Sequence, residues 1–277
     1  MNQKTRYIVN SILAVILLFG LTKFTMARYE NRSSRQDYEQ AMQLAGIQQI
    51  PETTSTESPT APTTSIQQEQ SSAAPLPEDP IILEMLEIDL DALREENEDV
   101  IGWIRIPDTK VNYPLLQWTD NDFYLDHTWN QSSNASGSIF MECQNQPDFS
   151  QFNTIIYGHN MNNGDMFGSL HYYRRTGYLD QHPYIYIAKD EGVFRFDIFA
   201  AQSANTKSII YGLGIETDQR KEEFLRYAKD YSFFESDVTP TVDDHILTLS
   251  TCSGSGYGTR WVVISLLNRD CSYIRPA

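Results

Sequence analysis

Two apolar runs, HILTLST and WVVISLL, flank a Gly- and Ser-rich stretch between Asp244 and Arg269. They read as two strands joined by a seven-residue loop, Ser253–Thr259. The chain must therefore contain a sheet near its C-terminal end. The same hairpin sets a chemical pair side by side, because Cys252 closes the first strand and Arg260 opens the second. A thiol beside a fixed cation is favoured as thiolate, and the cation can also hold a developing oxyanion. Strand alternation places Ile246, Thr248, Ser250 and Cys252 on one face, with Thr251 on the other.

Further short apolar segments precede this hairpin: Val100–Ile106, Val111–Gln117, Ser138–Glu142, Asn153–Tyr157, Tyr184–Ala188 and Val193–Ala201. With His245–Thr251 and Trp261–Leu267 they make a mostly β chain, a closed barrel or a sandwich. The spacing predicts helices over Ile81–Glu98, Met166–Arg175 and Gln219–Ser232. In the last of these, Phe224, Leu225, Ala228 and Tyr231 form one apolar stripe. No internal repeat is evident.

The N-terminal part is of a different kind. Tyr7–Leu21 is strongly apolar and extends through Met26 to about 20 residues, enough for a transmembrane helix. It reads as an uncleaved signal anchor over residues 1–27, or as a signal peptide cut after Thr25-Met26-Ala27; the length of the apolar run favours the anchor. Lys23, Arg28, Arg32 and Arg35 follow it, so the positive-inside rule does not favour an outside C-terminus. Asn31–Gly46 has some helical character. Ile50–Pro80 is rich in Thr, Ser, Gln, Pro and Glu and cannot bury a core. Residues 28–80 are therefore expected to be a polar, disordered stalk that gives reach, and 81–277 the folded domain.

A base for the thiol must come from five histidines. His245 lies seven residues before Cys252 on one strand, roughly 23 Å away at about 3.3 Å per residue. His127, His171 and His182 stand in polar loop or helix contexts. His159 closes the apolar strand NTIIY just after Gly158, where a turn presents its ring at a sheet edge.

YGHNM, TLSTC and the TRWVV that follows resemble the His, Cys and Arg motifs of the sortases, and of class B sortases in particular. IGWIRIP, NYPLLQ, DNDFYLDH, GSIFMECQN and MFGSLHYY resemble class B segments in the same order, so the likeness runs from about Asp99 to Asn268. It implies a sortase-like eight-stranded β-barrel with an N-terminal helix and a helix before the penultimate strand. It implies a cysteine transpeptidase in which Cys252 is the nucleophile, His159 the acid and base, and Arg260 the oxyanion or peptide contact. By the same resemblance Asn121, Leu125, Tyr157, Tyr211 and Ser250 line the substrate groove. Strand alternation separately puts Ser250 beside Cys252. Ser253 stands where some relatives carry an acidic residue, which leaves this chain without a carboxylate there. The implied partners are surface proteins with a C-terminal sorting signal and an amine of a peptidoglycan precursor, or a pilin Lys. The catalytic domain is expected outside the cell, tethered by one span.

Other readings of the same residues are a hydrolytic cysteine peptidase and a non-catalytic, membrane-tethered peptide-binding barrel. The net charge of −16 argues against nucleic-acid binding. Much of it comes from the block Glu78–Asp99, read as a solvated helix face or linker. Three cysteines do not make a disulfide framework. No zinc-like His spacing or EF-hand pattern occurs, so neither a metal nor a cofactor is expected. SGSGYG lacks the GK[ST] of a phosphate loop.

Overall fold

The structure is a computed structural model that describes residues 3–47, 77–252 and 258–275. Eight strands close into a barrel in the order β1-β2-β3-β4-β7-β8-β6-β5. They are β1 Val100–Arg105, β2 Asn112–Leu116, β3 Ile139–Met141, β4 Asn153–Tyr157, β5 Tyr184–Lys189, β6 Gly192–Asn205, β7 Ile246–Cys252 and β8 Thr259–Ile274. The β2–β3 and β4–β7 pairs are parallel and the others antiparallel. Closure leaves no sheet edge open. The expected eight-stranded barrel is thus observed, with β6 and β8 longer than their apolar runs indicated.

The barrel separates two apolar layers. Leu247 and Leu249 of β7 join Trp103, Ile156, Trp261 and Val263 in the main core. Ile246 of the same strand joins Phe199, Val262, Ile264 and the helix Asp218–Asp230 in a second layer outside the barrel. Period-two alternation produces this division. It also puts Ser250 on the outer face with Ile246, where its hydroxyl meets Tyr211.

Three expected elements are corrected. The helix over Ile81–Glu98 is two helices, α2 (Pro80–Leu86) and α3 (Leu90–Glu96). Glu87 closes the first, and Asp89 caps the second, accepting a hydrogen bond from Ala92 N at 2.9 Å. Its own N–H goes to Ala45 O. The segment after His159 is a 3-10 helix, Gly168–Arg174. Trp261 Nε1 donates to Leu170 O at 2.8 Å, drawing that carbonyl toward the core.

The third correction is the largest. Helix α1 runs without a break from Gln3 to Leu44, so residues 28–47 are not part of a stalk. Tyr38, Ala41 and Ala45 are buried in the barrel's core cluster, with Met42 packed against it. Their spacing, i, i+3, i+4 and i+7, is that of one helical stripe. Gly46, at φ +73°, ends the helix, and Ile47 N donates to Met42 O at 2.9 Å in a Schellman closure. The composition of this stretch is polar enough to hide the stripe. The rest of the expected stalk, 48–76, lies outside the described residues. Both of its ends join segments docked on the barrel, so its length does not set the distance from α1 to the domain.

Candidate active site

Strand register builds the site. Cys252 pairs with Arg260 across β7 and β8. On the other side of β7, the parallel register sets Tyr157 of β4 opposite Ser250, and Gly158 N donates to Ser250 O at 3.2 Å. Carried two residues further, that register brings His159 level with Cys252. Neighbouring strands lie about 4.8 Å apart. The backbone of Cys252 therefore sits between the turn bearing His159 and the start of β8 bearing Arg260. The Cys252 thiol and the loop 253–257 lie outside the described residues.

A cavity of about 380 Å³ opens beside this row. His159, Arg260, Asn121, Leu125, Tyr157, Tyr211 and Ser250 all line it, so seven of the eight residues singled out in the sequence converge on one cleft. Phe140, Gly158, Thr206 and Thr251 complete it. The other histidines serve the fold. Their ring Nδ1 atoms bind backbone carbonyls at Phe123 (His127), Pro107 (His182) and Gln151 (His245), and His171 stacks near Trp261.

His159 Nε2 donates to Leu125 O at 2.6 Å. That bond fixes the ring plane and, in the neutral imidazole, leaves Nδ1 as the basic nitrogen. Leu125 thus acts twice, through its side chain in the cleft and its carbonyl on the histidine. Arg260 Nη1 donates to Thr259 O at 3.1 Å, which holds the guanidinium close to its own backbone. Tyr211, at the end of the 3-10 turn Ile209–Tyr211, shares a 2.7 Å hydrogen bond with Ser250 Oγ. This bond ties the outer wall of the cleft to the strand that carries the cysteine.

Sequence reasoning missed Glu142. Its carboxylate is buried beneath the cleft, 4% exposed. Asn121 Nδ2 donates to both its oxygens at 2.8 Å, and Tyr157 OH donates at 2.8 Å. Asn121 Oδ1 in turn accepts from Cys143 N at 2.9 Å. Asn121 is therefore committed to the protein at both ends of its amide and meets the cavity as a fixed wall. Burial on its own would raise the Glu142 pKa, but the hydrogen bonds from Asn121 and Tyr157 outweigh it and hold the carboxyl below its usual range. Burial first, and then the Glu142 charge, push the Tyr157 phenol far up, so it remains a neutral donor. The signal available in the sequence was the MEC step directly after an apolar strand, an acid that no solvated loop explains.

Because the folded Glu142 pKa is depressed, its stabilising contribution is present above the unfolded value of about 4.3. It is lost as pH falls through the folded value. Glu142→Gln is expected to lower stability by about 2 kcal/mol at neutral pH. In thermal unfolding followed against pH, the gap between wild type and variant should hold from neutral down to about pH 5 and narrow below about pH 4. A gap that is constant with pH would show that the charge is not what the two donors require.

Gly137 also escaped notice. It has φ +56°, and an added Cβ would come 2.7 Å from the carbonyls of Tyr124 and Leu125 and 2.9 Å from His159 Cδ2. Only a glycine lets the backbone pass this close to the imidazole. On the reading of His159 as the acid and base, Gly137→Ala is expected to cut turnover on the order of tenfold or more, since small displacement of a reacting group is costly. Steady-state rates with circular dichroism on the same sample would check it. Full activity in a folded variant would mean that the ring tolerates displacement.

The family model described as Sortase domain matches residues 104–268, more than half of the chain. The chain is 35% identical over 162 residues to sortase B of Staphylococcus aureus (strain NCTC 8325 / PS 47), covering 58% of this chain and 66% of the relative. It is 36% identical over 160 residues to sortase B of Listeria monocytogenes serovar 1/2a, covering 58% and 65%. The match thus spans a little under two thirds of the length of each of these curated relatives. A solved S. aureus sortase B–substrate complex superposes with a TM-score of 0.62 at 33% identity, over 66% of this chain and 85% of that one. The barrel, with its site at the ends of β4, β7 and β8, defines a sortase: the chain belongs to the sortase family. Its similarity to the sortase B proteins places it in class B.

Proposed function

We propose that this protein is a membrane-anchored cysteine transpeptidase that joins proteins bearing a C-terminal sorting signal to an amine of the cell wall. The observation that carries the reading is the row His159, Cys252, Arg260, set on the turn after β4 and on the adjacent strands β7 and β8, with His159 and Arg260 lining one cavity. The Cys252 thiolate attacks the scissile carbonyl carbon of the signal peptide, and Arg260 offsets the charge that develops on the oxygen. The carbon–nitrogen bond breaks as His159 gives a proton to the departing amine, leaving an acyl group in thioester linkage to Cys252. An incoming amine then attacks that thioester, His159 takes its proton, the new amide forms and the Cys252 thiolate is released beside the imidazolium. The amine supplied by a peptidoglycan precursor fits this second half. Asn121, Leu125, Tyr157, Tyr211 and Ser250 line the groove that receives the peptide.

Helix α1 supplies the anchor. It contains the single helix among the described residues that is long and apolar enough to cross a membrane, with Ile12 to Met26 largely exposed. The folded domain then stands on the outer side, as its family relationship favours.

Mass spectrometry of the purified chain with a panel of sorting peptides tests the proposal. A thioacyl adduct on Cys252 that moves to a new amide when a glycine-type or diaminopimelate-type amine is added supports it. An adduct released only as the free acid, whatever amine is present, makes the protein a hydrolase. No adduct with any peptide, together with a Cys252 inert to methanethiosulfonates, reduces it to a binding module.

A further inference from the structure

The long helix reaches past the membrane-spanning length and touches the loops on both sides of His159. Tyr38 is the centre of this contact. It lies 12 residues after Met26, or about 18 Å along the helix at 1.5 Å per residue. Its hydroxyl is buried, donates to Gly137 O at 2.7 Å and lies 3.2 Å from Ser138 Oγ, which donates to His127 O at 2.8 Å. Gly137 in turn has no room for even a Cβ against His159 Cδ2 and the Leu125 carbonyl. That carbonyl is the acceptor that orients the His159 ring. Ser138 N donates to Tyr124 O at 2.9 Å, closing the same small loop.

The helix is tied to this loop at further points. Trp129 Nε1 donates to Asp37 O at 2.6 Å, Thr128 Oγ1 to the Asp37 carboxylate at 3.0 Å, and Asn134 Nδ2 to Glu30 O at 3.0 Å. A second route runs through the Tyr38 ring. The ring packs edge-on against Tyr113 at 5.0 Å, and Tyr113 OH accepts from Met166 N at 3.1 Å. Next in the chain, Phe167 N donates to His159 O at 2.9 Å. One side chain on the helix thus meets one segment that holds the imidazole directly and reaches the other through Tyr113.

We propose that Tyr38 is a positioning residue for His159, so that the helix emerging from the membrane-spanning segment forms part of the site's support. This rests on the assignment of His159 to proton transfer. A hydroxyl that served folding alone would cost stability when removed and leave the turnover of each folded molecule unchanged. A positioning hydroxyl would lower turnover while leaving peptide affinity in place, because none of its contacts lines the cleft.

The test uses the full chain in detergent micelles, with rates normalised to folded protein. Tyr38→Phe keeps the ring against Tyr113 and removes the hydroxyl alone. The expected result is a five- to tenfold fall in kcat for peptide cleavage, KM within twofold, and displaced ring-nitrogen NMR signals of His159. Unchanged kcat and unchanged ring signals, with only a lower Tm, would overturn the proposal. Should Tyr38→Phe not fold, Ser138→Ala decides the matter, since it removes the second partner of the Tyr38 hydroxyl, together with a bond to His127 O, without altering the helix: reduced kcat with displaced His159 ring signals supports the proposal and wild-type kcat overturns it. A His159→Ala control separates the two levels. Wild-type turnover there would remove the proton-transfer assignment and this proposal with it. Loss there beside unchanged Tyr38→Phe turnover would remove this proposal alone.

Discussion

The Cys252→Ala variant should form no adduct with any sorting peptide, and His159→Ala should lose roughly 10²–10⁴ in kcat/KM. The two losses have different origins. Without the thiol there is no nucleophile, so the covalent route closes. Without the imidazole the thiol remains, but its leaving amine must depart unprotonated, which slows acylation by the usual worth of general acid catalysis. Residues that act on one transition state do not add, so the double variant should be no slower than Cys252→Ala alone. Arg260→Lys gives an internal comparison. Lysine keeps the charge beside Cys252 but not the planar fork, so it should be impaired more than a pure charge effect allows. Adduct formation by mass spectrometry and single-turnover rates read all four. Measurable acylation of Cys252→Ala elsewhere on the chain would sink the mechanism, whereas a mild His159→Ala phenotype would reassign the proton carrier.

The sequence was legible where chemistry and strand period coincide. The run TLSTC and its Arg eight places on announced a hairpin, and the hairpin's register is the one observed, Cys252 opposite Arg260. NTIIYGH marked both a strand and the histidine at its end, and the observed strand is Asn153–Tyr157. Barrel against sandwich was not decidable from period alone, because both alternate buried and exposed positions. It was the family resemblance that pointed to the barrel. Glu142 and Gly137 were hidden for a different reason. Their roles come from partners distant in sequence: Asn121 lies 21 residues before Glu142, and His159 lies beyond Gly137 across a strand. No local pattern encodes such contacts. The docking half of α1 was obscured by polarity, because one narrow stripe of Tyr38, Ala41 and Ala45 carries its burial among many charged neighbours.

A chain that begins at residue 77, just ahead of the domain start at 81 expected from composition, is expected to be crippled, whereas one that begins at residue 28 should fold. Removing 28–47 uncovers the surface on which Tyr38, Ala41 and Ala45 are buried and Met42, Leu44 and Ile47 half-buried. At about 1.5–3 kcal/mol for a large buried side chain, the loss is roughly 5 kcal/mol or more. It also strips the indole N–H of Trp129, a fully buried residue, of its acceptor at Asp37, a further cost of about 1–3 kcal/mol. Against a total stability of about 5–15 kcal/mol, the shortened domain would stand near its margin. For a domain of this size that corresponds to a Tm lower by about 10–20 °C. Scanning calorimetry of the two soluble forms checks this, and equal melting temperatures would mean that the helix only rests on the barrel. The consequence reaches the function. Only a few residues separate the exposed apolar run ending near Met26 from Glu30, the first residue bonded to the barrel. On the proposed anchoring, the catalytic cleft is held at a set height and orientation just above the bilayer. The polar tract 48–76 lies off the path between membrane and barrel, so lengthening or shortening it should leave transfer rates in membranes unchanged. A flexible insertion at 27–28, within the helix itself, should lower them.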